Sequence, residues 1–346
     1  MKKLLSLLFL AGVSGAVMAQ DYNGKEPFMT KSLTNDAIQQ VKVETNGGNI
    51  SVTGADASAR VEVYIWPGSS RDRYMSKADI QKRLDEDYEL TISVNDHKLT
   101  AIAKPKHRNM DWNHSLSISF KVFVPKSASS NLTTSGGNIH LEGLTGSQDF
   151  TTSGGNLEVE DMSGHVTGRT SGGNISVSNS KDEIDLTTSG GNIDADKCNG
   201  NIRLTTSGGS VSLHHLSGTI KGTTSGGSVM GDEIEGELFA HTSGGNIHMD
   251  NLSCSIETST SGGNISVSMK SLGKYVRITN SSGNIDLEVP KGKGMNLDLH
   301  GDKIHTDALG NFSGNKDEHS MIGTVNGGGV PVTVDAGSGR IKLTIK

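Results

Sequence analysis

Thr134-Ser135-Gly136-Gly137-Asn138-Ile139 is the motif around which the chain is organised. Its serine returns as Ser153, Ser171, Ser189, Ser207, Ser225, Ser243 and Ser261, at a constant step of 18 residues. A worn copy, Asn280-Ser281-Ser282-Gly283-Asn284-Ile285, places the next serine 20 residues after Ser261. Eight serines at one spacing make this a repeat protein, in which each unit is completed by its neighbours.

Counted from Thr133, each unit carries apolar residues at places 7, 9, 12, 16 and 18, as in Ile193, Ala195, Cys198, Ile202 and Leu204. The pairs at 7/9 and 16/18 have the two-residue period of strands. Glycine holds places 4 and 5 and often 14, as in Gly146, Gly164, Gly200, Gly218 and Gly236. Each unit therefore reads as strand, turn, strand, turn. One unit cannot bury its own apolar edge, but a stack in register buries them all between two parallel sheets. The paired glycines are expected to supply the positive φ of a tight turn. Asn at place 6 is expected to bond nearby backbone or to stack with its copies in a ladder. The 16/18 alternation puts the threonine of place 2 inside; a bend before the turn would put place 1 there instead.

Before the array, Val41, Val43 and Asn46-Gly47-Gly48-Asn49-Ile50 form a diverged copy, and Val61, Val63 and Ile65 a further strand. Ser76 with Asp79 resembles a capping box, stapled by Met75 and Ile80, and predicts a helix over about 76–87 covering the open end of the stack. Tyr88 to Val94, Leu99 to Ala103 and Leu116 to Val124 alternate as strands. After Ile285 the pattern loosens into loops, with closing turns at Asn326-Gly327-Gly328-Gly329 and Gly337-Ser338-Gly339. At the other end, Lys2 and Lys3 precede the apolar run Leu4 to Val17, and Val17-Met18-Ala19 offers small residues for cleavage before Gln20. That is the pattern of a signal peptide, too short for a membrane span. The resulting division is 1–19 signal peptide, 20–40 lead-in, 41–132 first coils with the helical insertion, 133–278 regular array, and 279–346 final coils and cap.

The 346 residues include 45 glycines but only 6 prolines, and aromatics make up 4%, so the interior must be aliphatic. Loss of Lys2 and Lys3 takes the formal charge from −6 to −8, which argues against nucleic acid as a partner. Cys198 and Cys254 fall three units apart, roughly 14 Å at ~4.8 Å per coil, beyond the ~7 Å reach of a disulfide. They read as buried free thiols.

The Asn-Gly-Gly-Asn-Ile coil, the strand ending Phe120-Lys121-Val122-Phe123-Val124-Pro125, the Ser-Gly-Gly-Asn-Ile array and the closing Ser338-Gly339-Arg340-Ile341 resemble a bacterial domain-of-unknown-function family of β-strand-repeat, adhesin-like proteins. The resemblance covers about residues 38–346. It implies a parallel β-helix of the cell envelope, and in some bacteria a link to envelope-stress signalling. It brings no catalytic residues.

Several chemistries have partial signatures in these residues. Periodic calcium binding needs Asp where Leu141, Val159 and Val177 stand. The outward places 8 and 10 hold Glu142, Glu158, Glu160, Asp194, Asp196, Asp232 and Asp250 with His140, His214 and His248, which reads as a solvated acidic face. The pair His214-His215 is expected to point to two sides or into a turn and to share no metal. Nothing singles out the two opposed carboxylates of a glycosidase. The aromatics that would stack on sugars are sparse, with Trp66 and Trp112 both before the array. An ice-binding grid of Thr-x-Ser rows is interrupted at Arg169 and His241.

The expectation is an all-β, single-stranded parallel β-helix or β-solenoid with 18-residue coils, a short helical insertion near the N-terminus and irregular capping coils at the C-terminus. Its about thirteen coils would make a rod of roughly 60 Å. Its expected work is that of an exported, non-enzymatic adhesin-like or scaffold protein, in the periplasm or at the cell surface. It would bind an envelope or surface ligand, protein or polysaccharide, with no cofactor, metal or catalytic residue. An envelope-stress regulatory module is the alternative, and a carbohydrate-active β-helix enzyme the third.

Overall fold

The computed structural model describes residues 26–34, 36–55, 58–68, 75–107 and 114–346; the signal-peptide reading and Trp112 lie outside these. Among the described residues the chain is all-β apart from one helix, and 29 strands form one continuous hydrogen-bonded network. Through the array, strands pair in parallel with the strand 18 residues on. Ile139 faces Leu157, then Ile175, Ile193, Val211, Val229, Ile247 and Ile265 in turn. This file and its neighbour Leu141, Val159, Val177, Ala195, Leu213 are buried to within 1% of exposure. A second ladder, which includes Val166, Ile184, Ile202, Ile220 and Leu238, faces it across the core. Core volume is balanced between coils. A Cβ on Gly168 would stand 2.4 Å from the ring of Phe150 and 2.7 Å from Leu186, so the aromatic occupies the room that glycine leaves.

The step of 20 residues is confined to one spot. Cys254 pairs with Leu272, but Ile256 pairs with Val276, so the two extra residues are absorbed between them. There Gly273 sits against the Ser255 amide, where a Cβ would be 2.3 Å away, and the Lys274 amide donates to Ser255 Oγ at 2.8 Å.

Spatial order departs from chain order at both ends. The strand Gln40–Glu44 lies between Lys98–Pro105 and Ser129–Thr133, and Ile50–Gly54 lies between Leu116–Val124 and Ile139–Glu142. At the other end Val330–Asp335 inserts between Ile265–Asn280 and Met295–His300. Likewise Arg340–Ile345 inserts between Ile285–Val289 and Lys303–Thr306. The simple expectation of windows stacked in chain order thus fails outside the array. The physical gain is that these end coils have both edges hydrogen-bonded, which ties down segments that would otherwise fray. Beyond them the pairing turns antiparallel, as Arg60–Pro67 on Leu116–Val124, Tyr88–Asn95 on Lys98–Pro105 and Ser320–Val325 on Met295–His300. The helix Lys77–Asp87 begins where the capping box places it, with Ser76 Oγ accepting from the Asp79 amide at 3.2 Å, and it buries Ile80 and Leu84.

The glycine expectation needs correction. None of the Ser-Gly-Gly glycines lies in the left-handed region. The second glycine is required by proximity instead. A Cβ on Gly137, Gly155, Gly173 or Gly191 would fall 1.9 Å from the carbonyl oxygen of the equivalent glycine one coil below. Positive φ occurs instead in the other turn, at place 14 in Gly164, Gly200, Gly218 and Gly236, and at place 11 in Asp161, Asn179, Lys197, His215, Glu233 and Asn251, with φ between 50° and 60° at place 11. Lysine and glutamate are strained there, so Lys197→Asn is expected to raise stability by about 1 kcal/mol in denaturant titration.

Cys198 and Cys254 are free and buried, and burial pushes their thiols up to about 11 and about 12. Their contribution to stability is complete below the ordinary thiol value of 9.0 and is lost as pH rises toward those folded-state values. Ellman's reagent at pH ~8 is expected to label neither cysteine in the folded protein and both after unfolding. Rapid native labelling would contradict the burial.

Candidate binding surface

Two side-chain ladders run the length of the molecule and fix how its lateral face is built. The inner one is threonine at place 2, which the structure puts inside. Thr152 Oγ1 donates to Gly137 O at 2.9 Å and accepts from the Gly155 amide at 3.3 Å, and Thr170, Thr188, Thr206 and Thr224 repeat the pattern. In the worn copy Asn280 substitutes chemically: Nδ2 donates to Gly263 O at 2.7 Å and Oδ1 accepts from the Gly283 amide at 3.1 Å. Thr45 extends the row into the first coil through Ile118 O.

The outer ladder is place 6. The Asn138 amide donates to Asn49 Oδ1, Asn156 to Asn138, Asn174 to Asn156 and Asn192 to Asn174, all at 2.8–2.9 Å. Ser210 and Ser228 continue it with their hydroxyls, and it ends on the Arg340 amide, which donates to Asn284 Oδ1. These side chains are exposed or half-buried, and they border the outward residues of place 8. Between the two rows runs a groove of about 340 Å³ lined by Asn138, Asn156, Asn174 and Asn192 on one side and His140, Glu158, Ser176 and Asp194 on the other, over Ile139, Leu157 and Ile175. A related hollow of about 350 Å³ lies near the C-terminal end of this face, at Asn284, Asp286, His305 and Arg340.

The far border of the face is the left-handed turn. His215 Nδ1 lies 2.8 Å from Asp196 Oδ1 one coil below, and its Nε2 lies 3.7 Å from Glu233 Oε2 one coil above. His214 Nδ1 contacts Asp232 Oδ1. The His215 hydrogen bond holds the Asp196 carboxyl below the usual carboxylate range. Ligand atoms of His215, Asp232 and Glu233 lie within 4.8 Å of one another and could hold a divalent cation, though all three are also engaged in these pairs. The sequence reading expects His214 and His215 to point apart; they have different nearest partners, but both approach the Asp232 carboxylate. What that reading missed is that His215 meets two carboxylates from neighbouring coils. The 18-residue arithmetic linking Lys197, His215 and Glu233 was the available signal. His140 is paired similarly, at 3.1 Å from Glu158 and 3.7 Å from Glu142.

The serines of place 3 are exposed, and place 1 is exposed or half-buried, while Thr at place 2 points inward. Trp66 is 43% exposed but lies in the N-terminal strands, away from the groove. Among the described residues no helix is long and apolar enough to cross a membrane.

Residues 178–344 match the family model Toastrack DUF4097. No protein of curated function matches the chain. Among solved structures, a "putative adhesin" from Bacteroides fragilis NCTC 9343 is 14% identical, covers 94% of this chain and 99% of its own, and has a TM-score of 0.26. A "putative adhesin" and a "putative lipid binding protein" from Parabacteroides distasonis ATCC 8503 are 14% and 13% identical, each covering 92% of this chain and 98% of its own, with TM-scores of 0.30 and 0.32. At these scores the likenesses carry no argument about function.

Proposed function

From a chain that carries a Toastrack DUF4097 domain over residues 178–344, we propose an exported, non-enzymatic, adhesin-like or scaffold protein of the bacterial cell envelope. On this reading residues 1–19 are a signal peptide, the array is a single-stranded parallel β-helix, and the antiparallel strands at either end are caps that stop end-to-end growth of the sheets. The observation that carries the reading is the repeating lateral face. Outward side chains at places 8 and 10 recur at every coil in fixed register, beside a continuous ladder of ordered amides and hydroxyls. Such a surface binds through many weak contacts to an extended partner, so no single residue dominates. The histidines on it are each engaged with a carboxylate, which favours recognition over acid–base chemistry.

The test is fractionation of the producing cell with capture from envelope extracts on the immobilised protein. Export with loss of the first residues, and saturable capture of an envelope component, are expected. Retention in the cytoplasm with the N-terminus intact would remove the envelope reading, and release of reducing ends from polysaccharides would move it to an enzyme.

A further inference from the structure

The groove beside the asparagine ladder has polar groups of both kinds in an ordered array. Each place-6 oxygen is committed to the backbone amide of the next coil, which fixes the orientation of the side-chain amide. The Nδ2 groups of Asn138, Asn156, Asn174 and Asn192 have no protein acceptor among the described residues, so ordered N–H donors recur at the coil pitch of ~4.8 Å. Across the groove, Glu158 and Asp194 present acceptors, with His140 and Ser176 between and beside them. The floor is the strand backbone at Ile139, Leu157 and Ile175, whose side chains are buried in the core.

We infer that this groove binds an uncharged linear polysaccharide along the axis of the stack. The inference rests on the envelope-binding reading and names the ligand class for it. A sugar residue in an extended glycan is nearly as long as one coil, so successive residues meet successive amides without losing register. Ring and hydroxyl oxygens accept from the Nδ2 groups, and hydroxyl protons go to the carboxylates. Glu158 and Asp194, in a chain of net charge −6, disfavour an anionic polymer. The run of amides from Asn49 to Asn192 stops at Ser210 and Ser228, whose hydroxyls maintain the ladder but carry no amide. The site therefore has a defined length.

That interruption supplies the test. Asn156→Ser with Asn174→Ser copies what the chain itself does at Ser210 and Ser228, removing two donors while keeping the ladder. Titration calorimetry with cello-, manno- and N-acetylchito-oligosaccharides is expected to show binding by at least one series. Affinity should strengthen from disaccharide to pentasaccharide and level off thereafter. The double serine variant should lose about tenfold in affinity with an unchanged melting temperature. Glu158→Gln with Asp194→Asn, tested separately, should weaken the same ligand and relax the bias against oligogalacturonides. Undiminished binding by the serine variant, preference of the unaltered protein for oligogalacturonides, or no binding by any hexasaccharide of the three series would overturn the inference. Capture of an envelope protein together with glycan silence would remove this inference and leave the envelope reading intact.

Discussion

Gly191→Ala is expected to destabilise the fold by on the order of 3 kcal/mol or more, while Gly190→Ala, one residue earlier, stays within about 0.5 kcal/mol of the parent. The new methyl at 191 would stand 1.9 Å from the Gly173 oxygen, 2.4 Å from its carbonyl carbon and 2.8 Å from the Asn174 nitrogen. All three are backbone atoms, so no rotamer change relieves the clash and the turns must separate. Separation strains the Thr188 Oγ1 bond to Gly173 O and the Asn192 amide bond to Asn174 Oδ1, each 2.8 Å. At 190 the nearest atom would be the Ser171 oxygen at 3.6 Å, an ordinary contact. Urea titration of both variants separates the two accounts of the Gly-Gly pair. Equal losses at 190 and 191 would mean that backbone conformation, not proximity, selects glycine here.

The second large effect concerns buried threonine. Thr188→Val keeps the shape but leaves Gly173 O and the Gly191 amide unpaired in a site 1% exposed, and is expected to cost about 2–4 kcal/mol. Thr188→Ser retains the hydroxyl and should cost about 1 kcal/mol for the missing methyl. Thr258 provides the internal control. It is 2% exposed, and its Oγ1 has no partner among the described residues. Thr258→Val removes a buried polar group that bonds nothing and should stabilise by about 1 kcal/mol. The same substitution thus changes sign with the partner of one oxygen atom. If both valine variants moved the urea midpoint the same way, the hydrogen-bond account of the threonine row would be lost.

The repeat period, the inward files through Ile139 and Val166, the capping box at Ser76 and the freedom of the two thiols were legible in the chain, because each depends on spacing along it. A period of 18 residues with alternating apolar places leaves one way to bury the apolar edge, which is to set like against like. The same alternation favoured place 2 inside, but a bend before the turn would have put place 1 there, and only the folded turn decided between them. The left-handed turn at place 11 was not plain from the chain: Asp161, Asn179 and Asn251 favour positive φ, but Lys197 and Glu233 at the same place do not. Nor was the true reason for the second glycine, which lies in the distance between turns belonging to different coils. The meeting of His215 with Asp196 and Glu233 likewise required the turn to aim the imidazole. The interleaved ends were beyond sequence altogether. Each strand there has more than one apolar ladder it could join, and hydrogen bonding to both of its edges selects among them. Local pattern therefore determined what each coil is, and only the three-dimensional packing decided which coil lies against which and what their outward side chains meet.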